Sequence, residues 1–332
     1  MTDFNLVYLS RSRYGGWVTF TANLVLKYKF NLFKITNRTE KTKRNFGYNV
    51  FYQNITIDEL IKKENLFIVA LDKHYWQYLD KFPDSTYILL HDPNELKNRK
   101  NIKIDKENNL LINTLKRCNC LTIRETVQKY LLDNFHVKSI CKIHPFYEYD
   151  KDINIESNNY YAICNSRIDY DKNIEIILKA NDLNKDETKD ILLFGFENRM
   201  YVHFYLKQYN FEKYWKGHYE KTLPLIYDNK SMLKNCKFVV DLSIIKFDGG
   251  GTQYTFLDAI YNDCILILHK EWIEKGDLFK NKINCYAIGY TETPEKELLE
   301  LLNDTDEELN KDIIKNSKDI LNKNINVEWD NL

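Results

Sequence analysis

No stretch of this chain approaches the roughly 18 consecutive apolar residues that a membrane-spanning helix needs. The opening, MTDFNLVYLS, has no basic segment followed by an apolar one. A soluble, cytoplasmic protein without a membrane span is the expectation. Cysteine gives no framework either: the seven residues are odd in number and scattered, and Cys118-Asn-Cys120 lacks the second pair that a zinc site requires. Reduced thiols and no metal are expected. The ten glycines and five prolines are few for 332 residues, whereas Lys, Asn, Ile and Tyr are plentiful. AT-rich coding DNA gives such a composition, which suits low-GC bacteria, their phages or large DNA viruses; in the viral case the location would be the host cytoplasm. Net charge is absent as well, with 48 Lys and Arg against 48 Asp and Glu.

That balance hides a division. Residues 1 to 150 carry 24 basic against 16 acidic side chains, and the remainder 24 against 32. A basic front half attracts polyanions, nucleic acid among them, by counterion release, although a solvated surface with no such partner gives the same count.

What is present is enough apolar surface for two ordinary domains: 44% hydrophobic and 14% aromatic residues over 332. No repeat of 20 to 50 residues is visible. Strands are expected at Leu6 to Ser10, Asn31 to Ile35, Tyr48 to Gln53, Leu66 to Leu71, Thr86 to His91, Cys120 to Ile123 and Ser139 to Ile143, with helices such as Thr19 to Tyr28 and Arg124 to Asn134 between some of them. Apolar strands separated by helices indicate an α/β fold with a covered parallel sheet. Residues 143 to 159 lose the apolar pattern, which places a hinge there and predicts domains of 1–148 and 149–332. Strands at 160–166 and 191–196 then restart the rhythm around a helix at 173–181. The chain closes on an amphipathic helix at about 305–325, with a Thr305/Glu308 capping box and Leu309, Ile313, Ser317, Ile320 and Leu321 on one face. That helix can pack on either domain, and Trp329 predicts a docked tail.

Chemistry concentrates at strand ends. KFDGGGTQYTFLDAIYNDCILIL, residues 246 to 268, reads as a Gly-rich turn between the strand Lys237 to Ser243 and a helix, with a strand after it. Glycine lets a phosphate approach backbone N–H groups at the positive end of a helix dipole. With Thr252 as N-cap, Asp258 lies six residues on, where a carboxylate can meet a ribose diol. A plain tight turn with a solvated Asp258 is the alternative. SRIDYDK supplies the second signal: Arg167 and Lys172 bracket a loop between strand and helix, and an Arg fork beside a Lys point charge suits a diphosphate. Taken alone they are ordinary surface charge. Arg11, Arg13 and Gly15-Gly16 follow the first strand, and His91 ends another; in a doubly wound sheet such loops line the ligand crevice, though a turn with solvated arginines and a packed His are the plainer readings.

Taken in order, these features resemble the retaining GT-B glycosyltransferases, a family with two Rossmann-like domains and a cleft between them. Arg167 and Lys172 match the family's pyrophosphate-gripping pair, and Asp258 matches the second acid of its Glu-x7-Glu motif. The first acid is missing: Gly250 stands eight residues before Asp258, and the nearest carboxylate is Asp248. Tyr254-Thr255-Phe256-Leu257-Asp258 looks like the Tyr-Thr-x-Leu-acid string of the DNA alpha-glucosyltransferases of T-even phages.

The resemblance implies a transferase that moves a sugar from a nucleotide-diphosphate donor, a UDP-sugar, to a hydroxyl, with no cofactor and no metal. It implies His91, Arg167 and Lys172 as catalytic groups. Gly15, Gly16, Arg167, Lys172, Gly250, Gly251, Thr252, Gln253 and Asp258 would bind the donor, with Arg11 and Arg13 on the acceptor. Asp169-Tyr-Asp171 resembles a metal-binding Asp-x-Asp but lies inside the Arg167–Lys172 loop and is set aside. The acceptor expected is a hydroxymethylated pyrimidine in phage or viral DNA, held by the basic front half. The alternatives are a surface polysaccharide, glycolipid or glycoprotein glycan, and a non-catalytic nucleotide- or DNA-binding protein.

Overall fold

Short apolar runs followed by amphipathic stretches dictate strand–helix alternation. The computed structural model, which describes residues 3–13, 15–92, 96, 106–149, 159–217, 232–245, 250–304 and 306–332, carries that alternation twice. The described residues through Tyr149 form one compact unit together with Asn324–Leu332, and the described residues from 159 to 245 and from 250 to 323 form another.

The first unit is built on eight strands: β1 (Asn5–Leu9), β2 (Asn31–Ile35), β3 (Lys43–Gly47), β4 (Val50–Ile55), β5 (Leu66–Leu71), β6 (Tyr87–Leu90), β7 (Asn119–Thr122) and β8 (Ile140–Cys141). They lie in the order β3-β4-β2-β1-β5-β6-β7-β8. All neighbours are parallel except β3 with β4. The six residues of β5, LFIVAL, are all buried, as a central strand covered on both faces requires. Because β2 lies on one side of β1 and β5 on the other, the strand order reverses beside β1. Loops leaving strands diverge at such a point and open a crevice.

The second unit repeats the plan with β9 (Ala162–Cys164), β10 (Ile191–Leu193), β11 (Phe238–Asp241), β12 (Ile265–His269) and β13 (Tyr286–Ile288). The order β10-β9-β11-β12-β13 is parallel throughout. Here the reversal falls between β9 and β11. Its core joins Ile163's neighbours Ala162 and Cys164 to Ile177 and Leu178 of the Ile174–Leu183 helix and to Leu298 and Ile313 further on.

Local differences from the sequence reading have local causes. Tyr48 is a turn residue rather than a strand start: Tyr48 and Asn49 have φ of 56° and 58°, the left-handed pair that closes a two-residue hairpin between β3 and β4. β3, KRNFG, is too charged to read as a strand and owes its extension to pairing with β4. The final helix is Glu307–Asn326, and Asp306, whose carboxylate accepts from the Leu309 N–H at 3.0 Å, caps it; Thr305 lies outside the described residues.

The tail is fixed in the first unit. Trp329 is fully buried against Phe20 and Phe67, and its indole N–H donates to the Ile143 carbonyl at 3.1 Å. Asn324 donates to the His144 carbonyl and accepts, through its own carbonyl, from Phe146 N–H. Among the described residues no helix is long and apolar enough to cross a membrane.

Candidate active site

β9 and β11 are adjacent parallel strands, so the loops that leave them run side by side. Three bonds stitch these loops together. Lys172 Nζ lies 3.4 Å from Asp241 Oδ2, Asn173 donates to the Leu242 carbonyl at 2.9 Å, and Ile244 N–H donates to the Asp171 carbonyl at 3.0 Å. Asp241 is the last residue of β11 and is completely buried, and Lys172 is nearly so. A buried carboxylate is costly unless compensated. Lys172 and the Ser243 N–H, which donates to Asp241 Oδ1 at 3.0 Å, supply that compensation.

Arg167 is held more loosely. Its guanidinium lies 3.3 Å from Asp169 and 3.3 Å from Asp171, and its side chain is 56% exposed. Tight charge-assisted pairs are about 2.7–2.9 Å long. Arg167 therefore keeps donors for a further oxyanion while Asp169 and Asp171 aim it. The Asp-x-Asp pair braces the arginine. The loop after β10 steadies the whole from the other side: Ile168 N–H donates to the Phe196 carbonyl, and Asn198 donates to Asp169. Gly195, with φ 137°, packs so closely that an added Cβ would stand 2.3 Å from the Ser166 carbonyl oxygen.

The glycine loop meets the same β11 exit from the opposite flank. Gly250 and Gly251 have φ of 81° and 99°, which glycine adopts without strain. A Cβ on Gly250 would approach Ile245 Cδ1 at 3.2 Å. Trp272 donates to the Ser243 carbonyl at 2.8 Å, and Glu271 accepts from Ile245 N–H at 3.0 Å. Burial pushes the Glu271 carboxyl up, but bonds from Lys275 and Ile245 outweigh it and hold the value low.

The helix that follows is Tyr254–Tyr261, and its N-cap is Gln253, not Thr252. Thr252 is buried one residue too early, and Asp258 stands five residues beyond the cap, half-buried. The first turn has no acidic residue and no side-chain cap, so its positive end is uncompensated from within. Thr255 Oγ1 and Ser243 Oγ are buried without a hydrogen-bond partner among the described residues. Sequence reasoning did not find Asp241, Ser243 or Thr255. A carboxylate ending the apolar run FVVD was the available signal for the first. Lys246 to Gly249, and with them Asp248, lie outside the described residues.

Of the predicted residues, the structure brings Arg167, Lys172, Gly250 and Gly251 onto the β11 exit. Cys164, at the end of β9, contributes no thiolate there: burial, with Asp241 adding to it, pushes the thiol up to about 11.

Arg11, Arg13, Gly15, Gly16 and His91 belong to the first unit, around the exits of β1 and β6. Arg11 and Arg13 are exposed. Gly15, φ 93°, caps α1 (Gly16–Tyr28) with its carbonyl, which accepts from Val18 and Thr19. His91 is buried, edge-on to Phe20 at 4.9 Å, and its Nε2 is 2.8 Å from the Val69 carbonyl. A carbonyl only accepts, so Nε2 carries the proton and Nδ1 the lone pair. Burial lowers its pKa to about 4, and the ring is neutral at physiological pH.

No protein-family model and no curated protein matches this chain. Solved structures do match in three dimensions. Anabaena Alr3699/HepE, in complex with UDP and glucose, is 12% identical with a TM-score of 0.66 over 97% of this chain and 95% of that one. An alpha-glucosyltransferase in complex with UDP and a 13-mer DNA containing a HMU base is 13% identical with a TM-score of 0.65 over 98% and 96%. S. aureus TarM, a variant bound to Fondaparinux, alpha-GlcNAc-glycerol and UDP, is 15% identical with a TM-score of 0.55 over 82% and 57%. The chain has the GT-B glycosyltransferase fold.

Proposed function

We propose that this protein is a glycosyltransferase that moves a sugar from a UDP-sugar to a hydroxyl, with retention at the anomeric carbon, and that the acceptor is a hydroxymethylated pyrimidine in DNA. One observation carries the reading: the Arg167–Lys172 loop and the Gly250–Gln253 helix start both abut the exit of β11, where the strand order reverses. Support comes also from the fold, since the similar structures hold UDP or UDP with glucose.

As it stands, the cluster has three carboxylates, Asp169, Asp171 and Asp241, to two cations. A diphosphate therefore needs further donors. The helix N-terminus, Gln253 and Thr255 N–H groups and the Thr255 and Ser243 hydroxyls supply them without any charge to neutralise. As the bond from sugar to diphosphate breaks, negative charge grows on the leaving oxygen. Arg167, Lys172 and these dipoles stabilise that charge with little reorganisation, because Asp241 already holds Lys172 and Asp169 and Asp171 already aim Arg167. Asp258 binds the ribose diol. Arg11 and Arg13 belong to the acceptor side.

A glycan acceptor is the second reading, favoured by the TarM likeness. The test is mass analysis of hydroxymethylpyrimidine DNA after incubation with the protein and a panel of nucleotide sugars, with Arg167→Ala alongside. A hexose or pentose added by the wild type and not by the variant supports the reading. Donor turnover with no product on DNA removes the DNA acceptor and keeps the transferase; no turnover of any donor removes the enzyme.

A further inference from the structure

Lys34, on β2, has an ammonium that sits over three aromatic rings: Tyr8 at 4.9 Å, Tyr52 at 5.0 Å and Phe46 at 5.6 Å. The rings come from β1, β4 and β3 and pack on one another, Tyr8 against Phe46 at 5.0 Å and Phe46 against Tyr52 at 6.3 Å. Lys34 is half-buried, and among the described residues no carboxylate or carbonyl pairs with it. The Tyr8 hydroxyl donates to the Ser12 carbonyl at 2.9 Å, which brings Arg13, another cation, to the edge of this shelf; burial first and Arg13 second lower the Lys34 pKa.

Among the described residues no carboxylate is left over to pair with Lys34. Residues 1 to 50 hold nine Lys and Arg against two acids, Asp3 and Glu40. Glu40 is taken by Arg44 and Asn54 at 2.8 Å each, and Asp3 precedes β1, at the opposite end of the strand from Arg13. Asp72, after β5, acts on the Tyr8 hydroxyl and caps His74. The Tyr8 phenol, raised to about 12 chiefly by burial, adds no charge.

Aromatic faces hold an ammonium in place without neutralising it. Its N–H groups on the side away from the rings stay available for an oxyanion, and the Arg13 fork gives a second point of attachment. The second unit's crevice differs: there each cation has a carboxylate within 3.5 Å.

We infer that Lys34 and Arg13 form a phosphate-binding subsite of the first unit, with Tyr8, Phe46 and Tyr52 as the shelf that positions the ammonium, and that its occupant is a backbone phosphate of a nucleic-acid acceptor. This rests on the DNA reading above. It adds a grip that the donor site does not use and that carries no sequence information, since phosphate contacts set register rather than specificity.

The experiment is fluorescence anisotropy of a labelled DNA duplex against potassium chloride, between about 50 and 200 mM, where each phosphate neutralised contributes about −0.9 to the slope of log K on log salt. Because the two cations share one phosphate, Lys34→Gln and Arg13→Gln should each shallow the slope and the pair together should shallow it by about one; Lys34→Arg should keep the wild-type slope. If thermal melting shows that Lys34→Gln does not fold, Arg13→Gln, at an exposed position, carries the test. A wild-type slope in the folded single variants overturns the subsite and leaves the DNA reading intact. A wild type that binds no duplex overturns both. Binding to heparin but not to duplex, with the same Lys34 dependence, overturns the nucleic-acid assignment.

Discussion

The two strand-exit crevices are built on one plan and charged in opposite ways. In the second unit the cations are clamped: Lys172 sits on buried Asp241, and Arg167 is braced by Asp169 and Asp171. In the first, Arg11 and Arg13 are exposed and Lys34 rests on aromatic rings, with no acid paired to any of them among the described residues. The difference teaches what each arrangement is good for. Clamped cations hold one geometry and suit a small ligand whose charge changes during a reaction. Unclamped cations attract a long polyanion at a distance and tolerate many registers, at the cost of sensitivity to salt.

The comparison breaks most visibly at Lys172. Lys172→Met leaves buried Asp241 with no counter-charge and only the Ser243 N–H bonded to it, and should cost about 3–5 kcal/mol in denaturant unfolding, whereas Arg13→Gln should stay within about 0.5 kcal/mol. Adding Asp241→Leu to Lys172→Met should recover most of the loss without restoring sugar transfer. If Lys172→Met is as stable as wild type, the clamp is not structural. Next comes Arg167→Ala, which should lower donor turnover about 10²- to 10³-fold, the usual effect of removing one transition-state donor, with the fold kept. An unchanged turnover number would take Arg167 out of the site.

His91 sharpens the contrast through pH. Its folded pKa, about 4, lies below the ordinary 6.5, with burial as the main cause. The unfolded chain therefore binds a proton that the folded one refuses as pH falls below 6.5. Stability from this residue is complete above 6.5 and is lost toward pH 4, by about 3 kcal/mol. His144, also buried and lowered, acts in the same sense. The stability gap between wild type and His91→Gln should narrow by that amount over that range; a gap independent of pH would mean that His91 is protonated or solvent-accessible in the fold.

The smallest effect is expected at Thr255. Thr255→Val removes a hydroxyl that has no partner among the described residues, so stability should change by less than about 1 kcal/mol, while UDP affinity by calorimetry should fall about fivefold through the loss of one hydrogen bond. Equal affinities would show that the hydroxyl does not reach the donor.

Much of the second crevice is legible in the order of amino acids alone. Gly250 and Gly251 announce a turn that other residues resist, and Arg167 and Lys172 stand just beyond an apolar strand, where crevice loops begin. The helix cap falls one residue later than residue type suggests: Thr is the better capping residue, yet at 252 it is pulled into the core. Asp241, Ser243 and Thr255 are not legible, since a polar residue ending a strand or opening a helix is ordinary until burial leaves it without water. Nor is β3, whose KRNFG has no strand pattern and is extended only because β4 pairs with it.

The sequence by itself determined the alternation of strand and helix, the positions of the crevice loops and the glycines with positive φ, because these depend on periodicity and on the absence of a Cβ, which are local properties. Tertiary structure alone decided which charges meet. Lys172 and Asp241 are 69 residues apart, and the Lys34 shelf draws its rings from three other strands. Such contacts follow from the order of strands in a sheet, which is set by the long-range burial of apolar faces and is written in no single stretch of the chain.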